Sequence, residues 1–215
     1  GLGADATNGR AVAQVFAAAM PAVRDHLGLP RKRTVAAWRA RERQRRPVLH
    51  GFSSLVVPRP SDWRPGLEVT GYWWPYDGEA RLPSELRDFL DAGPPPVFVG
   101  LGSATVPDPE RLSTAVVRAL RRAGLRGVIQ RGWAGLEACG ADLLTVDEVP
   151  HAALLPRMAA VVHHAGAGTT AAGVRAGVPA VPVPVQFDEG FWSARLVALG
   201  VAPRALPLRR LTADT

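Results

Sequence analysis

The sequence has almost no cysteine and almost no lysine: Cys139 and Lys32 are the only ones among 215 residues. One cysteine rules out an internal disulfide and fits a reducing, cytoplasmic compartment. Nothing in Glu137-Ala138-Cys139-Gly140-Ala141 would activate the thiol, which reads as an ordinary residue rather than a nucleophile. No apolar run approaches the ~20 residues of a membrane span. Gly1–Arg10 lacks the charged and apolar regions of a signal peptide. Metal-ligand spacing is missing too, because the side chains of His163-His164 diverge and no third ligand follows at a suitable distance. The sequence therefore predicts no metal and no membrane-spanning segment.

What is present is arginine. The net charge of +7 is concentrated between Arg31 and Arg46, where eight basic residues fall within sixteen positions. Only Trp38 interleaves them, too little aromatic surface to stack on bases, so no nucleic-acid partner is expected. A basic balance also suits phosphorylated small molecules.

Length and a hydrophobic fraction of 47% fit one large domain, or one domain plus a fragment. Apolar residues at helical spacing from Ala11 to Val23 predict an opening helix that Leu27-Gly28-Leu29-Pro30 stops. Val48–Phe52 and Leu55–Val57 read as short strands, Asp62–Gly66 as a turn cluster and Val69–Trp74 as an extended connector. A boundary near Trp74 separates residues 1–75 from residues 76–215.

Beyond it the pattern alternates. Ser84–Leu90 reads as a helix, and buried strands are expected at Pro96–Leu101, Gly127–Gln130, Leu143–Val146, Ala159–Val162 and Pro179–Val183, with a further strand starting at Gly200-Val201-Ala202. Asp108-Pro109-Glu110 starts a helix that ends at Gly124, and a later helix spans about Glu189–Leu199. Such alternation predicts an α/β fold: a Rossmann-like parallel sheet with helices on both faces and a ligand beyond the carboxyl ends of its strands.

The stretch His163-His164-Ala165-Gly166-Ala167-Gly168-Thr169-Thr170 joins a strand to a helix through a glycine turn. Free N–H groups of the helix's first turn favour an anion there, and Gly166 and Gly168 let a phosphate approach the backbone. His164 adds a side-chain donor, and the stretch reads as a diphosphate cradle. Trp133, flanked by glycines after the second strand, is either a platform for a nucleobase or a core-edge tryptophan, and spacing does not choose. Asp188 and Glu189 are placed to accept hydrogen bonds from sugar hydroxyls, or Asp188 to cap the next helix, or both.

Two other readings compete. Gly166-Ala167-Gly168-Thr169-Thr170-Ala171 satisfies the dinucleotide fingerprint, with Asp188 about 20 residues on, as an NAD(P)-binding Rossmann oxidoreductase would require. That fingerprint belongs to the first strand–helix unit, however, and here it falls in the fourth. The other is a non-catalytic nucleotide-binding or interaction module.

Taken together, Val97–Ser103, Arg131-Gly132-Trp133, Val149-Pro150-His151 and the run from His163 to Trp192 resemble the donor-binding, C-terminal half of GT-B glycosyltransferases of glycosyltransferase family 1. The likeness is strongest to the branch of bacterial and fungal sterol glucosyltransferases and actinobacterial natural-product enzymes. Val69–Trp73 resembles the connector from the acceptor-binding half. The resemblance implies transfer of a hexose from a UDP- or dTDP-sugar to a hydroxyl of a lipophilic or natural-product acceptor, with inversion and with neither metal nor cofactor. Trp133 would stack on the base and the backbone at Val149 would meet its edge. His164, Gly166, Gly168 and Thr169, helped by Ser103, would hold the diphosphate, and Asp188 and Glu189 would bind the sugar.

Two departures stand out. Glu189 follows Asp188 where the family usually has glutamine, and Ala171-Ala172 stand where plant members have a ribose-binding acid. The family's general base lies in the first half of the acceptor domain, of which residues 1–75 would be only the tail. The donor domain, 76–215, would also lack its last helices. His26 and His50 are poor substitutes, so no catalytic residue is assigned. The chain is expected to bind a nucleotide-sugar and to need the missing half for transfer.

Overall fold

The computed structural model describes residues 19–30, 43–74 and 80–214. The chain divides into two compact bodies, Gly1–Trp73 and Trp74–Thr215.

In the first body, α1 (Ala19–His26) is the described part of the opening helix, and the rest of that expected helix lies outside the described residues. β1 (Val48–His50) and β2 (Leu67–Val69) pair in parallel, Val48 opposite Leu67. Leu55–Val57 is a turn and not a strand. Ser53 claims its backbone: the Ser53 carbonyl accepts from Val56 and Val57, and its hydroxyl accepts from Leu55. Those local bonds outweigh the strand preference of the two valines.

The second body holds α2 (Ser84–Asp91), β3 (Val97–Gly100), α3 (Pro109–Arg122), β4 (Gly127–Gln130), β5 (Leu143–Val146) and the short α4 (His151–Leu154). β6 (Ala160–His163), α5 (Ala167–Ala176), β7 (Ala180–Pro182) and α6 (Glu189–Ala198) complete it. All five strands are parallel, in the order β5-β4-β3-β6-β7. Strands β3 and β4 are almost wholly apolar and buried, as a sheet covered on both faces requires. Side chains alternate between two cores. Phe98, Val128 and Val161 pack with Leu86 and Leu90 of α2 and Leu154 of α4. Val97, Val99 and Ile129 pack on the other face with Leu112 and Leu120 of α3. β3 comes first in this body yet lies at its centre, flanked by β4 and β6, so the chain reverses its direction of travel across the sheet there. A crevice opens at such a point, outside the carboxyl ends of the strands.

The strand expected at Gly200-Val201-Ala202 does not form. Gly200, with φ +72°, closes α6: its N–H donates to the Val197 carbonyl and that of Val201 to Leu196. Only the Val201 carbonyl reaches the sheet, accepting from Ala180 at 2.9 Å.

α3 begins as its sequence dictates. Pro109 occupies the first turn, and the Asp108 carboxylate accepts from the Arg111 N–H at 2.9 Å. Asp108→Ala removes this cap without touching a core and is expected to lower stability by about 1 kcal/mol in urea titration. An unchanged midpoint would show that the cap contributes nothing.

Candidate functional site

Four turns meet at the carboxyl edge of the second body. The turn after β3 carries Gly102, and the turn after β4 carries Gly132. These two press together so closely that a Cβ on Gly132 would lie 2.7 Å from the Gly102 carbonyl oxygen. That same oxygen accepts from the Trp133 N–H at 3.0 Å. The backbone of Trp133 is thereby pinned while Ala134 and Leu136 behind it are buried. The indole itself is 75% exposed, which decides against a core-edge tryptophan. A flat apolar ring is held in the open over a cleft.

That cleft has a volume of about 810 Å³. Ser103, Trp133, Val149 and Gly168 line it, as do Gln130, Asp147, Glu148, His151, Ala172 and Arg175. Arg131 stiffens one wall, donating to the Asp147 carboxylate at 2.9 Å and pairing with Glu137. Gln130 donates to the Asp147 carbonyl at 3.3 Å. The Arg175 guanidinium, from the last turn of α5, stacks over Trp74 at 4.5 Å. Nothing in the sequence marks Gln130, Arg175 or Trp74 as wall residues, because their neighbourhood exists only after folding.

His164, Gly166, Thr169, Asp188 and Glu189 lie beyond the cleft lining. His164 is the link between them and it. Its ring occupies the space that Cβ atoms on two glycines would need: one on Gly102 would come 2.7 Å from Cε1, and one on Gly166 would collide with Nε2. The bare Cα of Gly166 therefore makes room for the imidazole, whereas the sequence alone suggests room for phosphate. Gly168 does face open space. α5 starts at Gly166 with no side-chain cap, and Thr170 donates its N–H to the Gly166 carbonyl. The earlier N–H groups of the first turn are left for a ligand.

His163 sets the shape of this turn from below. It is fully buried at the end of β6, and its Nδ1 accepts from the Ala165 N–H at 3.1 Å. Ala165 consequently sits at φ +65°, a conformation that residues with a Cβ rarely adopt. An Nδ1 that accepts must be unprotonated, and the proton of the neutral ring is then on Nε2.

Both acids after β7 are engaged. Glu189 is buried, and its carboxylate accepts from the N–H groups of Val185 at 2.6 Å and Gln186 at 2.7 Å. Asp188, which the sequence also offers as a cap, does not cap α6 through its side chain. Its carboxylate accepts instead from the Trp192 indole at 2.7 Å. The charges of both acids are felt at His164: burial lowers its pKa, and the charges of Glu189 and Asp188 partly oppose that.

Burial is also the main reason that the His163 pKa falls from 6.5 to about 4, with smaller pushes from His164 and His151. The unfolded chain takes up this proton before the folded one does. Stability is therefore complete above pH 6.5 and is lost as the pH falls toward 4. Between pH 7 and pH 5 the loss is expected to be on the order of 2 kcal/mol. His163→Asn keeps an acceptor near Ala165 but cannot titrate. Urea midpoints of this variant should fall less over that interval, and equal slopes would refute the assignment.

The relatives of this chain agree with the architecture. Residues 128–215 match the erythromycin biosynthesis protein CIII-like C-terminal domain. A sterol 3-beta-glucosyltransferase of Arabidopsis thaliana, UGT80A2, is 41% identical over 75% of this chain and 26% of its own length. The O-mycaminosyltylonolide 6-deoxyallosyltransferase of Streptomyces fradiae is 46% identical over 79% of this chain and 40% of its own. The chain thus spans between a quarter and two-fifths of these two curated relatives. The solved glycosyltransferase of kitacinnamycin superposes with a TM-score of 0.61 at 21% identity, over 78% of this chain and 44% of that one. Both relatives are named glycosyltransferases, which does not favour an oxidoreductase reading of the glycine turn. The second body has the parallel α/β architecture of GT-B glycosyltransferases, and residues 128–215 are the part of it that matches the family model.

Proposed function

We propose that this chain is the donor-binding part of an inverting, metal-independent glycosyltransferase that takes a UDP- or dTDP-hexose. The observation that carries the reading is one cleft whose lining holds both an exposed indole, Trp133, and Gly168 from the first turn of a helix without a side-chain cap. Its volume suits a drug-sized or nucleotide-sized ligand. In this reading the base stacks on Trp133, with the backbone at Val149 at its edge. The diphosphate lies against Ser103 and the first turn of α5, at Gly166, Gly168 and Thr169. The first-turn groups offer a free N–H or hydroxyl at the favourable end of the helix dipole, and Ser103 adds its hydroxyl.

His164 adds a donor beside the diphosphate. Because burial lowers its pKa, it meets the ligand mainly as a neutral imidazole. Asp188 and Glu189 bind sugar hydroxyls through the carboxylate positions that Trp192 and the Val185–Gln186 backbone leave open.

Transfer is then a single displacement. An acceptor hydroxyl oxygen bonds to the anomeric carbon as the bond from that carbon to the diphosphate breaks. The electron pair leaves on the diphosphate, where α5 and His164 stabilise it without a metal. The hydroxyl proton goes to a base in an acceptor-binding half that works together with this chain. Lipophilic or natural-product alcohols are the acceptor class, since one relative is named for a sterol and the other for O-mycaminosyltylonolide. The lone Cys139 is the basis for placing the protein in the cytoplasm.

Calorimetric titration with UDP, dTDP and NADH tests the reading. UDP or dTDP is expected to bind irrespective of magnesium. Trp133→Ala should weaken it by roughly 1–3 kcal/mol, and His164→Ala by a comparable amount, about 1.5–3 kcal/mol for a hydrogen bond to a charged group. Binding of NADH with silence from both diphosphates would overturn the proposal.

A further inference from the structure

Phe187 is 91% exposed, more than any other large hydrophobic side chain among the described residues. It also sits at φ +51°, which is unfavourable for a residue with a Cβ. Neither burial nor backbone preference accounts for an aromatic residue here. The loop cannot relax, because both flanks are clamped. On one side, the buried Glu189 carboxylate holds the Val185 and Gln186 N–H groups. On the other, the Asp188 carbonyl accepts from Phe191 and Trp192 while its carboxylate takes the Trp192 indole. A large ring is thus fixed in solvent at the carboxyl edge of the sheet, with Asp188 as its neighbour. Strain retained under such clamping is typical of ligand-binding positions.

We propose that Phe187 is the platform on which the hexose ring of the donor stacks, and that it governs which sugars the site accepts. This rests on the donor-binding reading above. A hexose presents a face of C–H bonds and an edge of hydroxyls. An aromatic ring beside a carboxylate matches both at once, the ring by apolar contact and the acid by hydrogen bonds. The His164 ring packs against the Gly102 turn of the nucleotide cleft and feels the charge of Asp188 and Glu189 from this loop. A sugar attached to a diphosphate at α5 would therefore extend toward Phe187.

The test compares wild type, Phe187→Gly and Phe187→Trp for binding of UDP, dTDP, UDP-glucose and dTDP-glucose, together with thermal unfolding. Glycine relieves the left-handed strain, so its Tm is expected to rise by a few degrees. Its affinity for UDP and dTDP should stay within about twofold, while both sugar conjugates weaken by roughly 2- to 12-fold, the worth of one aromatic contact. Tryptophan should restore conjugate binding. A lower Tm for Phe187→Gly, or equal effects on nucleotides and conjugates, or none on either, would overturn the assignment. Failure of the wild-type chain to bind any of the four ligands would remove the donor-binding reading and this inference with it.

Discussion

Everything at the carboxyl edge depends on how closely two backbones approach at Gly102 and Gly132. The Gly102 carbonyl has no room beside it for a Cβ from the facing turn, and it accepts the N–H of Trp133. On the other side of the Gly102 turn the His164 ring fills the place of a missing Cβ, and Gly166 closes over the same ring. An aromatic residue displayed to solvent, an imidazole half withdrawn from it and the start of α5 are therefore held in one arrangement. No long-range electrostatics are needed to organise it, because excluded volume and a few backbone hydrogen bonds suffice.

The buried histidine works on the same principle from beneath. An imidazole in a nearly dry environment stays neutral, and a neutral imidazole has one acceptor nitrogen. That nitrogen holds the Ala165 N–H and with it an unfavourable backbone angle. The energetic cost at Ala165 is spread over the core around β6, where His163 is fully enclosed. The clamped acids after β7 repeat the device: Glu189 gives up a carboxylate oxygen to its own loop, and a second non-glycine residue is kept at a positive φ.

Much of this was legible in the chain, and the physical reasons are plain. A parallel sheet covered on both faces writes its strands as short apolar runs, so β4 and β5 could be delimited and β3, β6 and β7 placed within a residue or two. Asp108-Pro109 announced α3 through capping chemistry that is local in sequence. What the sequence could not convey was direction and distance. The sequence shows glycine at 166 but not that His164 lies where its Cβ would be. Likewise it offers acids at 188 and 189, yet not that Trp192 and the loop backbone claim part of each. Arg175 and Trp74 meet only through folding. At Gly200 two legible signals conflicted, and helix closure won over the valine that followed.

The strand order has a consequence for how the chain is made. β3 is the centre of the five-stranded sheet, but only one of its edges can be filled by the segment that follows directly. β4 and β5 emerge next, whereas the partner for the other edge, β6, begins at Ala160. During synthesis at roughly 5–20 residues per second, that edge waits some seconds for its partner. Over that interval the free N–H and C=O groups of Val97–Gly100 are open to any extended chain nearby. The half-built sheet is most vulnerable to aggregation at this stage, and the end of the wait coincides with the appearance of the histidine-glycine turn.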